Sequence, residues 1–215
     1  MLENYIRPIY QKYFVALAAE NLPPWLTPNH ITALAGTIGF MIVPALAFKM
    51  YLLATILLLI SGYLDTLDGT MARLYGQITH VGAALDLTMD RLVEISVIIG
   101  LFAVDPEARA WPALLMISSL LLCTTGFLAV AIFTPNTSIK SFHHSPGVVE
   151  RAEVFIFFIA MIWLPNYYVL LASIFTASVM ITGSLRLYQF WQTEQQYAET
   201  IAKLMEEEPN LEFSN

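Results

Sequence analysis

The sequence predicts an all-α membrane protein with six transmembrane helices and an N-terminal amphipathic helix on the membrane surface. Of its 215 residues, 57% are hydrophobic and only 13% are charged, which is about half the charged fraction of a soluble domain. The apolar residues fall in long blocks, and roughly 20 such residues let a helix span a bilayer. The short alternating segments typical of a transmembrane barrel are not seen in this sequence.

The elements follow one another in a simple order. Residues 1–22 carry apolar side chains at helical spacing among polar ones, as expected of an amphipathic helix on a membrane surface. Thr27 and Pro28 suit the cap and the first residue of the next helix. Residues 192–215 form a polar, acidic cytoplasmic tail. Between them, residues 23–191 form a six-helix domain, with predicted spans at 29–48, 51–74, 81–104, 111–133, 148–164 and 167–190.

The basic residues predict the orientation of the protein in the membrane. If the N-terminus is cytoplasmic, six spans return the C-terminus to the same side. Every Lys and Arg except Lys49 and Arg109 then lies at or near the cytoplasmic side, in agreement with the positive-inside rule. The tryptophans fall near the two predicted interfaces, at Trp25, Trp191, Trp111 and Trp163. We therefore predict an inner-membrane protein with both termini in the cytoplasm.

The second and third spans contain acidic residues that a membrane helix usually avoids: Asp65, Asp68, Asp86, Asp90 and Glu94. An ionised group at mid-bilayer costs about 2.5 kcal/mol or more on insertion scales, so intramembrane acids indicate a functional site. Each Asp pair has a spacing of three or four residues, which places its members on one face of a helix. The connection between the two spans is short, which predicts antiparallel neighbours with both pairs toward the cytoplasmic end.

Small residues accompany these acids, namely Gly69, Ala72, Gly82 and Ala83. We expect them to let the two backbones approach and to leave room for a ligand. Clustered carboxylates repel one another and must bind cations or take up protons. Oxygen donors favour hard ions such as Mg²⁺, Mn²⁺ or Ca²⁺. The acids alone also fit a proton or cation relay in a small transporter, whereas Arg73 beside them suits a phosphate ligand.

The spacing over residues 65–90 reads D-x2-D-G-x2-A-R-x8-G-x3-D-x3-D. Its fixed positions are Asp65, Asp68, Gly69, Ala72, Arg73, Gly82, Asp86 and Asp90. This pattern resembles the signature of the CDP-alcohol phosphotransferase family at every position, and so many fixed residues make it specific. The six-helix layout and the N-terminal helix extend the resemblance to about residue 190. Members of this family transfer a phosphate-bearing group from a CDP-linked donor to an alcohol and release CMP.

The resemblance implies roles for these residues. The four aspartates would bind two Mg²⁺ or Mn²⁺ ions, with Asp90 also acting as general base. The CDP group would contact Asp68, Gly69, Ala72, Arg73 and Gly82. The implied reaction belongs to phospholipid biosynthesis, uses CDP-diacylglycerol in the bilayer and takes place on the cytoplasmic side. The resemblance also suggests a homodimer, and we expect no nucleic-acid partner.

The acceptor alcohol is predicted from three basic residues at the cytoplasmic ends of the last three spans. Lys140, Arg151 and Arg186 resemble positions that bind the acceptor phosphate in the branches making phosphatidylglycerol phosphate and phosphatidylinositol phosphate. We therefore expect a phosphorylated polyol, such as inositol phosphate or glycerol phosphate. Each of the three could also be an anchor to the anionic inner leaflet. The alternatives are an unphosphorylated acceptor such as inositol or serine, a CDP-choline or CDP-ethanolamine donor, and a cation- or proton-coupled transporter.

Overall fold

The computed structural model describes Pro23 and residues 26–133 and 151–207, with the backbone alone at 197–199 and 201–207. The predicted surface helix at 1–22 lies outside the described residues. Within them the chain is 91% helical and contains no strand, which confirms the all-α fold class. The helices are α1 Pro28–Phe40, α2 Ile42–Ala47, α3 Tyr51–Leu74, α4 His80–Val104, α5 Pro106–Phe133, α6 Arg151–Trp163 and, after a 3₁₀ turn at Pro165–Tyr167, α7 Tyr168–Glu207.

The first predicted span is divided into two helices. α1 begins at Pro28 after Thr27, as expected, and the Thr27 backbone N–H lies 3.3 Å from His30 Nδ1. The helix ends at Phe40, and Met41 separates it from α2. Pro44 accounts for this break, because a proline ring clashes with the carbonyl four residues earlier, here that of Phe40.

Among the described residues, four helical stretches are long and apolar enough to cross a membrane: Pro28–Ala47, Tyr51–Leu74, Pro106–Phe133 and Pro165–Gln196. Their outward faces carry large exposed apolar side chains, including Leu52, Leu121 and Leu170. These findings support an integral membrane protein. α4 is excluded from the four by its charges and α6 by its length of 13 residues, so the count of six spans stays a prediction.

The connection predicted before α5 was wrong, because α5 begins at Pro106 rather than near residue 111. Asp105 Oδ1 accepts a hydrogen bond from the Ala108 N–H at 3.3 Å and so caps the helix.

Arg109, expected in an outer loop, is buried within α5. Its Nη1 donates to the Leu101 carbonyl at 2.9 Å, and its guanidinium lies 4.4 Å from the ring centre of Tyr168. Arg109 thus connects α4, α5 and α7.

A single core joins most of the helices. Leu58, Val97, Met116, Phe158 and Phe175 come from α3, α4, α5, α6 and α7, and each is fully buried. α7 continues as one helix of 40 residues through the predicted start of the polar tail at residue 192. The described part of that tail is therefore helical.

α1 packs against both α3 and α4, which make few contacts with each other. The two helices are neighbours at the acid site, where their carboxylates meet, but the expected close approach of their backbones was wrong. The close approaches instead involve glycines elsewhere. An added Cβ on Gly39 would lie 2.4 Å from Val93 Cγ2, and one on Gly36 would lie 2.3 Å from Met89 Sδ. α1 thus acts as the support on which the two acid-bearing helices are placed.

Candidate metal and substrate site

Three of the predicted carboxylates meet in a compact cluster. One oxygen each from Asp65, Asp68 and Asp86 lies within 4.8 Å of the other two. α3 supplies the first two from adjacent turns, and α4 supplies the third. The three-residue spacing thus places Asp65 and Asp68 on one face of α3, as predicted. The two acid-bearing helices are held together by α1 rather than by direct packing of α3 on α4.

Asp68 is the most buried of these acids. The hydroxyl of Thr32, in α1, donates a hydrogen bond to Asp68 Oδ2. Thr32 was not among the predicted site residues. A polar residue within an apolar span was the available signal, but the sequence does not show that its partner lies on α3.

The donor atoms of this cluster fit a hard divalent cation. Asp86 Oδ1 is buried and has no hydrogen-bond partner within the described part of the chain. A buried polar atom without a partner is costly, and a cation between Asp86 and its two neighbours would remove that cost. The three residues offer only carboxylate oxygens, which are the ligands preferred by Mg²⁺ and Mn²⁺.

Asp90 lies beside this cluster and is bound to Arg151. The guanidinium contacts Asp90 Oδ1 at 2.8 Å and Oδ2 at 3.0 Å, and it also contacts Asp65 Oδ2 at 2.5 Å. Arg151 is the first residue of α6. The start of this helix therefore lies next to the acids. A residue predicted to bind the acceptor is thus brought directly to the acids.

A cavity of about 210 Å³ opens next to Asp90, between α4, α5, α6 and α7. Arg151 and Arg186 both line it, so two of the three predicted acceptor residues share one cavity. Lys140 lies outside the described residues. The guanidinium of Arg186 lies 5.5 Å from the ring centre of Phe127, which also lines the cavity.

Arg91 and Glu94 also line this cavity and add two charges that were not among the predicted site residues. They form an ion pair at 2.6 Å, and Arg91 Nη1 lies 3.3 Å from Thr124 Oγ1. Glu94 is buried. Its spacing of three residues from Arg91 indicated the pair, but not that the pair faces a cavity.

The residues predicted to contact CDP lie near the end of α3 and the start of α4. Arg73 is exposed, and its Nη2 donates to Thr70 Oγ1 at 3.2 Å. Gly69 faces this guanidinium, since a Cβ there would lie 3.5 Å from Arg73 Nη1. A Cβ on Gly82 would lie 3.1 Å from Asn29 Oδ1. Gly69 therefore leaves room beside the Arg73 guanidinium, as expected, whereas Gly82 allows the close approach of polar groups from Thr79 and from Asn29 of α1. Ala72, between Gly69 and Arg73 in sequence, is half-buried.

The model of the family described as CDP-alcohol phosphatidyltransferase matches residues 25–186, which include every acid of the site. The chain belongs to this family. The membership confirms the predicted enzyme class, a metal-dependent phosphotransferase, and decides against the transporter alternative. It also agrees with the arrangement of carboxylates described above.

This chain is similar in sequence to several bacterial proteins. It is 28% identical over 200 residues to the inner membrane protein YnjF of Escherichia coli, a match covering 90% of this chain and 97% of the other. It is 29% identical over 154 residues to the phosphatidylinositol phosphate synthase of Mycolicibacterium smegmatis, covering 68% and 66%.

The fold is shared with the phosphatidylinositol phosphate synthase of Mycobacterium tuberculosis. Its crystal structure with CDP-DAG bound matches with a TM-score of 0.70 at 21% identity and covers 84% of this chain and 94% of that one. A second structure of the same protein, in complex with manganese and citrate, matches with a TM-score of 0.67 at 21% identity and covers 82% and 88%.

Proposed function

We propose that this enzyme transfers the phosphatidyl group of CDP-diacylglycerol to a hydroxyl of a phosphorylated polyol and releases CMP. The observation that carries the proposal is the cavity beside Asp90, which holds the guanidinium groups of Arg151 and Arg186 next to the three-aspartate cluster. The names of the relatives, several of which are phosphatidylinositol phosphate synthases, support the same class of acceptor.

The aspartates Asp65, Asp68, Asp86 and Asp90 would hold two ions of Mg²⁺ or Mn²⁺. When bound, such ions neutralise the pyrophosphate of the donor and stabilise the departing CMP. The manganese in the structurally similar synthase and the unpartnered oxygen of Asp86 support this assignment.

The donor would bind over the ends of α3 and α4. Arg73 is exposed there and can donate to phosphate oxygens in the forked geometry of a guanidinium. Gly69 leaves space beside Arg73, and Gly82 would also contact the CDP group. Ala72 would pack close to the nucleotide, and Asp68 would reach it through a metal ion. This arrangement would place the phosphorus atom of the phosphatidyl group between the acid cluster and the cavity.

Asp90 would act as general base. It lines the cavity where the acceptor would lie, and it adjoins the acids that would hold the donor. The acceptor oxygen would attack the phosphorus of the phosphatidyl group, the bond from that phosphorus to the CMP oxygen would break, and Asp90 would take the hydroxyl proton. The remaining contribution of the protein is the positioning of the two substrates.

The charges of the cavity favour an anionic acceptor. Arg91, Arg151 and Arg186 outnumber Asp90 and Glu94 among the residues that line it. Asp90 and Asp65 would hold metal ions on the other side, and the positive charge supplied there would add to the excess of positive charge in the cavity. We also propose that Lys140, which lies outside the described residues, contributes to acceptor binding. We further propose that the site faces the cytoplasm in a six-span protein with both termini in the cytoplasm.

The test is an assay of the full chain in detergent with labelled CDP-diacylglycerol, Mg²⁺ and matched pairs of alcohols. Inositol phosphate is compared with inositol, and glycerol phosphate with glycerol, by CMP release and by the mass of the lipid product. We expect turnover with a phosphorylated member and little with its partner. Equal or better use of inositol, glycerol or serine would overturn the assignment of the acceptor while leaving the enzyme class intact.

A further inference from the structure

Arg151 connects the acid cluster to the acceptor cavity. Its guanidinium contacts Asp65 at 2.5 Å and both oxygens of Asp90 at 2.8 and 3.0 Å. The same side chain lines the cavity together with Arg186. Asp65 in turn belongs to the group of three carboxylates that could hold an ion. One positive charge therefore occupies carboxylate oxygens that the metal site would also need.

A guanidinium and a divalent cation compete for such oxygens for two reasons. Each charge-assisted hydrogen bond uses a lone pair that a metal ion would otherwise take. The two cations also repel each other at short distance. Both oxygens of Asp90 accept from Arg151, so an ion bound to Asp90 would lie close to the guanidinium, and the repulsion between the two cations would weaken these contacts.

We infer that Arg151 competes with the divalent ion for Asp65 and Asp90, and that metal binding moves its guanidinium from these acids to the acceptor phosphate in the cavity. The inference rests on the proposed function, because it uses the metal and acceptor sites described there. It couples the two sites: a bound ion releases the cation that the acceptor requires, and a bound acceptor phosphate favours metal binding to the same degree. It also frees Asp90 to act as a base only when the ion is present.

The test compares Mn²⁺ binding to three forms of the full chain in detergent, measured by the paramagnetic resonance signal of free Mn²⁺. The forms are the wild type, Arg151→Gln and the matched control Arg186→Gln, which removes the same charge from the same cavity. Arg186 lies over Phe127, whereas Arg151 contacts the acids. We expect Arg151→Gln to bind Mn²⁺ about 10-fold more tightly or better, and Arg186→Gln to change the affinity much less.

Unchanged or weaker binding of Mn²⁺ by Arg151→Gln would overturn the inference, as would an equal gain in Arg186→Gln, which would indicate a general effect of charge. Failure of the metal site itself would be recognised separately, because the wild type would then bind no Mn²⁺ and Asp68→Asn would behave like it. If Arg151→Gln does not fold, Arg151→Lys replaces it, with Arg186→Lys as control. Lysine keeps the charge but cannot bind two carboxylates as a fork, so a gain in affinity is again expected.

Discussion

At the scale of single residues, Asp90 differs from the other three aspartates in its surroundings. Asp65, Asp68 and Asp86 form the compact group, whereas Asp90 lines the cavity and is bound by Arg151. This difference supports a role for Asp90 toward the acceptor in addition to any role toward the metal. Its position one helical turn beyond Asp86 would place it between the two substrates proposed above.

The variant Asp90→Asn should lose turnover by about 10²- to 10⁴-fold, the usual effect of removing a general base. Binding of CDP should survive, because the three-aspartate group is intact. CMP release measures the first effect, and the rise in unfolding temperature on adding CDP with Mg²⁺ measures the second. Near-normal turnover would exclude Asp90 as the base.

The variant Arg186→Ala should raise the KM of the phosphorylated acceptor by about 10- to 100-fold, since a charge-assisted contact to phosphate contributes roughly 1.5–3 kcal/mol. The KM of CDP-diacylglycerol should change little, because Arg186 lies on α7, away from the ends of α3 and α4. Steady-state kinetics with each substrate varied in turn makes the comparison. An equal rise in both KM values would indicate a general disturbance of α7 instead.

At the scale of elements, α1 determines where the acids lie. Gly36 and Gly39 bring it close to α4, and Thr32 reaches Asp68 on α3. Glycine in this helix therefore contributes through close packing, although it lowers intrinsic helix stability by about 1 kcal/mol relative to alanine. The site consequently depends on a helix that supplies none of its carboxylates.

The variant Gly39→Ala should destabilise the protein by about 1–3 kcal/mol, the typical cost of overpacking. The added methyl group would lie 2.4 Å from Val93 Cγ2, on a short branched side chain that has little room to move. Gly126→Ala is the matched control: it is also a helical glycine, and its nearest atoms would lie 3.8 Å away, so we expect it to be neutral or slightly stabilising. Thermal unfolding in detergent compares the two. Equal stability of both variants would show that α1 and α4 are not packed as described.

The packing of one helix on another is also where prediction from the sequence reached its limit. Periodicity showed which acids share a helix face, and the motif added the family, because both depend on residues close in sequence. Periodicity could not show that α1 lies between α3 and α4, since it identifies a face and not its neighbour. Thr32 and Asp68 are 36 residues apart, and Arg109 is buried by a ring from α7; neither contact has a local signal. The continuity of α7 was more predictable, because no proline occurs from Tyr168 to Glu207.

At the scale of the whole molecule, metal, donor and fold are linked by mass action. A ligand that binds only the folded state stabilises it by an amount that grows with its concentration relative to Kd, about 2.7 kcal/mol at 100 times Kd. The carboxylates of the cluster repel each other and also the phosphates of CDP. A divalent ion relieves both repulsions, so CDP and the ion should each strengthen the binding of the other.

We therefore expect CDP with Mg²⁺ or Mn²⁺ to raise the unfolding temperature more than the two separate effects added together. EDTA should abolish the effect of CDP and all turnover, and an excess of Mg²⁺ or Mn²⁺ should restore both. Asp68→Asn should show little of this cooperation, because it removes a buried member of the three-carboxylate group, while Na⁺ or K⁺ in place of the divalent ion should give none. Full stabilisation by CDP after exhaustive chelation would mean that the nucleotide binds through Arg73 and the backbone, and that the acids of α3 and α4 have another purpose.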